Sequence, residues 1–411
     1  MSSRVSAAIE SAKARAAEAI ISRRQELLEL SARIHANPEV SFEEFTAADA
    51  VRHIVAAAGY AMSDPDPSLP TAVRGDIRGT GYSDRDTTVA VLSEYDALEG
   101  LGHGCGHNLM AAAGVGAAIG LAAVQDTFGG EVRFLGTPGE ERGAGKEDMI
   151  RLGHFEGVDA AVIVHPYDRN QLTVPALALE DLEVSFHGEA AHAATSPWDG
   201  RNALDAMVQL LASIGLWRQQ MKDSARVHGI ITEGGEAPNI VPAFTSALFM
   251  LRAESDTELE HMRRRFREIV EAAALAHACQ SEVKSIGMSR TMQDNRTMAA
   301  VFRRNAERLG IEFPEPDPTR VGSTDMGNVS QALPSIHPFL QICDEGTPLH
   351  SELFREAAVG EAAGEMCIRG AIAQAQTAIE LLLDPDLRSR VQREFATGRV
   401  HTETTDEGVN V

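Results

Sequence analysis

Cysteine is scarce in this chain, with Cys105, Cys279, Cys343 and Cys367 the only four in 411 residues. They are too few and too widely spaced for a disulfide framework or a Cys-x-x-Cys metal knuckle, which fits a reducing compartment. Basic charge is in deficit: 37 Lys and Arg stand against 60 Asp and Glu, for a net charge of −23. Phosphate neutralisation would run against that field, so nucleic acid is excluded as the expected partner, and the acidity reads as solubility. Long apolar runs are also missing. The longest, Leu109 to Val124, is Gly- and Ala-rich and falls short of the ~20 residues a bilayer span needs, so it is expected as a buried helix. Met1 to Glu10 has no apolar core, so no secretory signal and no membrane partner are expected, and the chain is placed in the cytoplasm.

What is present suits a folded α/β protein. Hydrophobic residues make up 44% and charged residues 24%, ordinary globular usage that excludes a disordered chain, and the length suggests two or three domains. From Ser6 to Ala58 the apolar residues recur at helical spacing, interrupted at Asn37-Pro38, and predict two helices. Strands are expected at Val73–Ile77, Thr87–Leu92, Glu131–Leu135 and Ala160–Val164, with helices between them. Their alternation implies a mostly parallel sheet sandwiched by helices, with its site at the carboxyl edge.

Between Leu177 and Arg290 the rhythm becomes strand, helix, strand, strand, helix, strand, the order of a ferredoxin-like α+β unit. The expected organisation is a first catalytic part at 1–176, an inserted domain at 177–290, and a second catalytic part at 291–411. That second part holds helix at Met292–Leu309, strand at Ile336–Ile342, a final helix at Gly360–Leu383 and a mobile polar tail from Asp386.

Three polar strand-end loops carry the chemistry. Leu-Gly-His-Gly-Cys-Gly-His-Asn at 101 to 108 sets Cys105 and His107 two apart on a glycine-freed loop opening a helix. A helix N-terminus favours the thiolate, and Cys with His suits zinc, manganese and cobalt being the alternatives. Taken alone, the pair reads equally as a buried thiol with a helix-capping histidine. The next loop holds Glu140 and Glu141, whose side chains would point apart, one towards a metal and one towards the attacking water. The third strand end supplies His165, a common nitrogen ligand type.

These motifs resemble the aminoacylase and carboxypeptidase-G family of two-metal peptidases and amidohydrolases, in the branch with a cysteine ligand. Ser-Glu-Tyr-Asp-Ala-Leu at 93 to 98 and Gly-His-Gly-Cys-Gly-His-Asn at 102 to 108 are most similar to its p-aminobenzoyl-glutamate hydrolases and β-alanyl-lysine-type dipeptidases. The resemblance runs from about Ala32 to Ala358. It implies two divalent metal ions per chain, held by Cys105, His107, Glu141, His165 and His350, with Glu140 as general base and acid. It further implies that the inserted domain makes a homodimer contact, and that His192 in Phe186-His187-Gly188-Glu189-Ala190-Ala191-His192 steadies the tetrahedral intermediate in the partner's site. Asn239 and Arg252 fall at substrate-holding positions; Arg252 suits a substrate carboxylate or an internal acid. Many members of the wider branch have Asp where Asn108 stands, and Glu94 stands where related peptidases carry a metal histidine. Asp96 and His103 are then expected behind the ligands, Asp325 in the pocket wall or as a helix cap, and His187 as structural.

The expected function is hydrolysis of an amide in a small carboxylate-bearing substrate: an N-acyl amino acid, an aminobenzoyl-glutamate type or a dipeptide. The alternative is a catalytically silent metal-binding dimer serving as a regulatory partner. The presence of Glu140 and of all five ligands argues against decay.

Overall fold

Two chain crossings, after Pro175 and after Thr291, divide a larger unit from an inserted one, Ala176–Thr291. The computed structural model describes residues 3–82, 86–315 and 322–406, with side chains from 5 to 398. In chain order the larger unit begins with α1 (Ser3–Ser22), α2 (Arg24–Ala36), α3 (Phe45–Ala57), β1 (Ala61–Met62), β2 (Val73–Arg78) and β3 (Thr88–Glu94). It continues through α4 (His107–Ala122), β4 (Glu131–Thr137), α5 (Gly145–Arg151), β5 (Ala160–Val162) and β6 (His165–Tyr167). The insert contains β7 (Ala178–His187), α6 (Ala203–Trp217), β8 (Arg226–Glu233), β9 (Phe244–Ala253), α7 (Asp256–Ala276) and β10 (Gln280–Ser289). The larger unit then resumes with α8 (Arg296–Glu307), α9 (Met326–Ala332), β11 (Ser335–Ile336), β12 (Phe339–Gln341), α10 (Glu352–Ala357), α11 (Glu361–Leu383) and α12 (Pro385–Asp406).

Every residue of β3 is buried, the pattern of a central strand covered on both faces. The six-stranded sheet runs β1-β2-β4-β3-β5-β11. β4, β3, β5 and β11 are parallel neighbours, and β2 joins β4 antiparallel. Glu94 pairs with Thr137 and Val91 with Val162, so three parallel strands end on one edge. Helix α4 is buried along nearly its whole length, against β3 on one side and α1, α2 and α11 on the other. Small residues permit that closeness: a Cβ at Gly114 would lie 2.1 Å from Ser93 Oγ and 2.5 Å from the Leu92 carbonyl oxygen.

The insert forms its own four-stranded antiparallel sheet, β10-β7-β9-β8. Helices α6 and α7 pack on it and on each other around a separate apolar core including Leu182, Val184, Leu210, Phe249 and Phe266. Element order and strand order together are those of a ferredoxin-like fold.

Several boundaries differ from the sequence expectation. The first helical stretch is three helices, because Arg23 leaves helical geometry at φ −104°, ψ 11°. Helix α8 starts at Arg296, after Asn295, whose side chain accepts from Met298 N. The expected Ile336–Ile342 strand splits at His337-Pro338 into β11 and β12, which pair with different strands. Of the tail expected to be mobile, the part up to Asp406 is α12, and 407–411 lie outside the described residues. Leu387 and Val391, one helical turn apart, are buried, and the Glu394 carboxylate accepts from the N–H groups of Arg296 and Thr297. A segment polar overall is thus held by two apolar contacts and by capping another helix.

Gly114→Ala should lower the unfolding free energy by about 1–3 kcal/mol, since α4 must back away from β3. Denaturant unfolding checks it, and an unchanged midpoint would mean the two elements are not in close contact.

Candidate metal centre

Beyond β3 the chain turns through a glycine-rich loop into α4. Gly106 adopts φ 78°, and a Cβ there would lie 2.7 Å from Pro166 Cγ, so glycine alone lets the loop double back and place His107 at the first helical position. His107 is completely buried. Its Nδ1 donates to the Asp96 carbonyl (3.0 Å) and Asp96 Oδ1 (2.9 Å). Both partners only accept, so Nδ1 carries hydrogen and Nε2 is turned to the other side. Asp96 Oδ2 in turn accepts from Ser41 Oγ and from Glu141 N, each at 2.9 Å.

The loop after β4 is anchored at both ends. Gly139 N donates to Glu44 Oε1 at 2.8 Å, and Glu141 N is held by Asp96. Between these points Glu140 and Glu141 face the cluster: Glu140 Oε2 lies 3.9 Å and Glu141 Oε1 4.0 Å from His107 Nε2. His165 opens β6 with Nδ1 donating to the Pro166 carbonyl at 2.6 Å, which aims Nε2 at Cys105 Sγ, 3.5 Å away. His350 sits at φ 57°, a costly backbone conformation for a histidine. Its N–H donates to the Gly104 carbonyl, and its Nε2 is 3.5 Å from Glu141 Oε2.

The larger unit therefore brings together Cys105, His107, Glu140, Glu141, His165 and His350. Three overlapping sets have donor atoms mutually within 4.8 Å: Cys105, His107 and His165; Cys105, Glu141 and His350; Glu94, His107 and Glu140. Burial, followed by Glu94 and Glu141, pushes the Glu140 carboxyl well above its ordinary range. Burial also raises Glu141, to about 7, and the Cys105 thiol. At His107 burial opposes the charged ring, but Cys105 and Asp96 overcome it and raise the group. Burial and then His107 hold His165 down to about 3, a neutral imidazole. Among the described residues, His107 Nε2 and Glu141 Oε1 are buried with no hydrogen-bond partner. Orphaned donors of this kind are costly in an apolar surrounding, and thiol, imidazole and carboxylate converging on one space fit divalent cations.

One residue of this region escaped the sequence reading. Lys146, on α5, is fully buried, its Nζ 2.7 Å from Glu94 Oε1 and paired also with Asp325 Oδ1. A lysine after a glycine-rich loop reads as solvated, and only the packing of α5 against α9 reveals otherwise. Asp325 does not cap α9; its Oδ2 accepts from Lys146 N at 2.9 Å. His103 is buried without a hydrogen bond and stacks on His35, ring centroids 6.0 Å apart, so it orients no ligand. His337 is likewise buried and unbonded, edge-on to His165 at 5.5 Å.

The insert holds the other expected residues. His192 is exposed, its Nδ1 accepting from the N–H groups of Ala194 and Thr195, which leaves hydrogen on Nε2. Asn239 lies beside it, its carbonyl accepting from Ala193 N. Arg252 is half-buried near the far end of β9, opposite Leu179 and Arg226. Eight residues of strand separate it from Phe244, roughly 27 Å of rise. One copy of the insert therefore does not bring Arg252 to His192 and Asn239. His187 ends β7 against Phe244.

A sheet edge carrying thiol, imidazole and paired carboxylates defines a class, proteins with a centre for divalent metal ions. Residues 82–366 match the model of peptidase family M20/M25/M40. The mouse Xaa-Arg dipeptidase is 39% identical over 95% of this chain and 93% of its own. One of the subunits of the Escherichia coli p-aminobenzoyl-glutamate hydrolase is 30% identical over 95% and 94%. Among solved structures, a dinuclear metal-binding M20 peptidase of Bacillus subtilis superposes with a TM-score of 0.62 at 20% identity, over 88% of this chain and 99% of its own. An aminobenzoyl-glutamate utilization protein of Klebsiella pneumoniae gives 0.69 at 20%, over 89% and 97%. The chain belongs to peptidase family M20/M25/M40 and is a hydrolase of peptide or amide bonds.

Glu44, completely buried beneath the Gly139 loop, is raised to about 7, chiefly by burial and then by Asp96. The folded state then holds a proton that the unfolded chain releases near pH 4.5. Stability from this group is full below that pH and is lost as pH rises through about 7. In the metal-free protein, Glu44→Gln should leave unfolding unchanged at pH 4 and stabilise by about 1–3 kcal/mol at pH 8. Equal effects at both values would place no proton on Glu44.

Proposed function

We propose that this chain is a cytoplasmic, homodimeric, two-metal hydrolase that cleaves the amide of a small carboxylate-bearing substrate, releasing a free amino acid. The observation that carries this reading is the placement of Glu140 beside a cluster of thiol, imidazole and carboxylate groups in which His107 Nε2 and Glu141 Oε1 are buried without a hydrogen-bond partner. Cys105, His107, Glu141, His165 and His350 would hold two divalent ions, zinc being the first choice and manganese or cobalt the alternatives. Bound there, the ions would supply Lewis-acid polarisation of the carbonyl and acidify water. Glu140 takes a proton from the water that attacks the carbonyl carbon. It then delivers that proton to the nitrogen as the carbon–nitrogen bond breaks.

His192 Nε2–H is the donor for the oxygen on which charge develops, and Asn239 and Arg252 hold the substrate, Arg252 through its carboxylate. The separation of Arg252 from His192 within one insert favours their coming from two copies. A self-pairing surface is available: Val208, Leu211 and Leu216 on α6 and Ile230 and Ile231 on β8, an edge strand, are exposed apolar residues. The relatives point to the substrate range, through an Xaa-Arg dipeptidase, a p-aminobenzoyl-glutamate hydrolase and an N-acetyl-L-cysteine deacetylase. All four cysteines are free, which suits the cytoplasm, and no helix among the described residues is long and apolar enough to cross a membrane.

Glu140→Gln should keep wild-type metal content by elemental analysis while turnover of aminobenzoyl-glutamate or dipeptides falls ~10²–10⁴-fold; wild-type turnover would remove Glu140 from proton transfer. Arg252→Ala should raise the KM of free-carboxylate substrates about 10–100-fold and leave amidated analogues little changed. Equal effects on both would take Arg252 out of carboxylate recognition. Replacing both Leu216 and Ile230 by Glu should give a monomer by light scattering with little activity. A fully active monomer would rule out His192 serving the partner's site.

A further inference from the structure

Glu94 belongs to none of the roles assigned so far. It closes β3, is completely buried, and its two oxygens face different neighbours. Oε1 lies 2.7 Å from Lys146 Nζ, and Lys146 is gripped from the other side by Asp325 through both Nζ and its backbone N–H. That grip fixes the carboxylate's direction and leaves Oε2 pointing at His107 Nε2, 3.3 Å away. Neither Oε2 nor Nε2 has a hydrogen-bond partner. A buried carboxylate oxygen and a buried imidazole nitrogen, each aimed at the other and each unbonded, are the surroundings of a cation.

The spacing agrees. Two ligand atoms with bonds of ordinary length to one tetrahedral ion lie roughly 3.3–3.6 Å apart. Cys105 Sγ to His165 Nε2 and Glu141 Oε2 to His350 Nε2 are both 3.5 Å, and Glu94 to His107 falls in the same range. Glu140 Oε2, at 3.9 Å from His107 Nε2, stands further back, as suits a residue that handles protons. His107 has one free nitrogen, because Nδ1 is committed to Asp96, so it can serve one ion.

We infer that Glu94 is a sixth metal ligand, binding through Oε2 the ion that His107 takes, with Lys146 and Asp325 as the clamp that aims it. The inference rests on the two-metal reading and deepens it. Its consequence is that each ion has a carboxylate oxygen of its own, Glu94 on the His107 ion and Glu141 on the His350 ion.

The test is metal binding by the full-length, metal-stripped protein, reloaded with zinc and followed by elemental analysis and chelator competition. Wild type should hold about two ions per chain. Glu94→Gln preserves shape and leaves Lys146 paired with Asp325, and it should weaken one of the two ions at least tenfold. Glu94→Asp keeps the charge opposite Lys146 but withdraws the oxygen by one methylene. It should show the same loss with the fold intact by circular dichroism, which covers the case of a misfolded Gln variant. Asp325→Asn loosens the clamp on Lys146 and should weaken the same ion about 3–10-fold, less than the Glu94 variants do, with the other ion unchanged. Two ions at wild-type affinity in both Glu94 variants would overturn the assignment while the two-metal reading stood. A wild-type protein that takes up no zinc would instead overturn that reading, and the assignment with it.

Discussion

The Asp96 carboxylate is the contact on which the rest of the centre depends. It is buried to 1% exposure yet fully engaged, receiving His107 on one oxygen and Ser41 and Glu141 N on the other. Burial raises its affinity for protons, but His107 and these hydrogen bonds prevail and keep it below its usual range, an anion in a place where an unpaired anion could not persist. Through three bonds it joins the end of β3, the start of α4 and the loop after β4. It also fixes which face of His107 is turned inward. A parallel sheet brings several strand ends to one edge, and Asp96 ties the side chains there to one another.

A second buried charge group, Glu94, Lys146 and Asp325, stands directly behind the first. One cation between two anions leaves a surplus negative charge in a space closed to water. Burying ions is expensive and is rarely repaid by their mutual attraction alone. The arrangement persists because the sheet, α5 and α9 over-determine it. Burial is the main reason both Glu140 and Glu141 carboxyls bind protons more readily than usual while no cation is bound, and the charge of Glu94 adds to it. The ion-binding state and the folded state are in this way coupled through charge.

The insert follows a different logic. Its core is apolar and self-contained, and its chemical residues lie on its surface or at its sheet ends. Stability and function are thus separated: the sheet needs neither His192 nor Asn239 to fold. The N–H groups of Ala194 and Thr195 that donate to His192 Nδ1 close the turn after it and leave the ring's hydrogen on Nε2.

Local pattern and motif spacing determined much by themselves. His350 joined the expected site only through the family resemblance, but the buried run of β3, the small-residue helix α4, the ferredoxin-like order of the insert and the motifs around Cys105 and Glu140 were all legible. Each rests on a period, a run or a motif carried within a short window of sequence. What escaped depended on contacts between distant segments. Arg23 breaks a helix with no proline or glycine to announce it, and the polar α12 is ordered by Leu387, Val391 and Glu394 meeting partners far away in the chain. Lys146 and Asp325 are 179 residues apart, and neither neighbourhood announces a buried ion pair. The sequence also left His103 as a plausible orienting residue, and only its packing on His35 removes it from the ligands. Tertiary structure decided these points because a side chain's charge, tautomer and direction are set by what surrounds it, and those surroundings are assembled from segments that the linear pattern cannot relate.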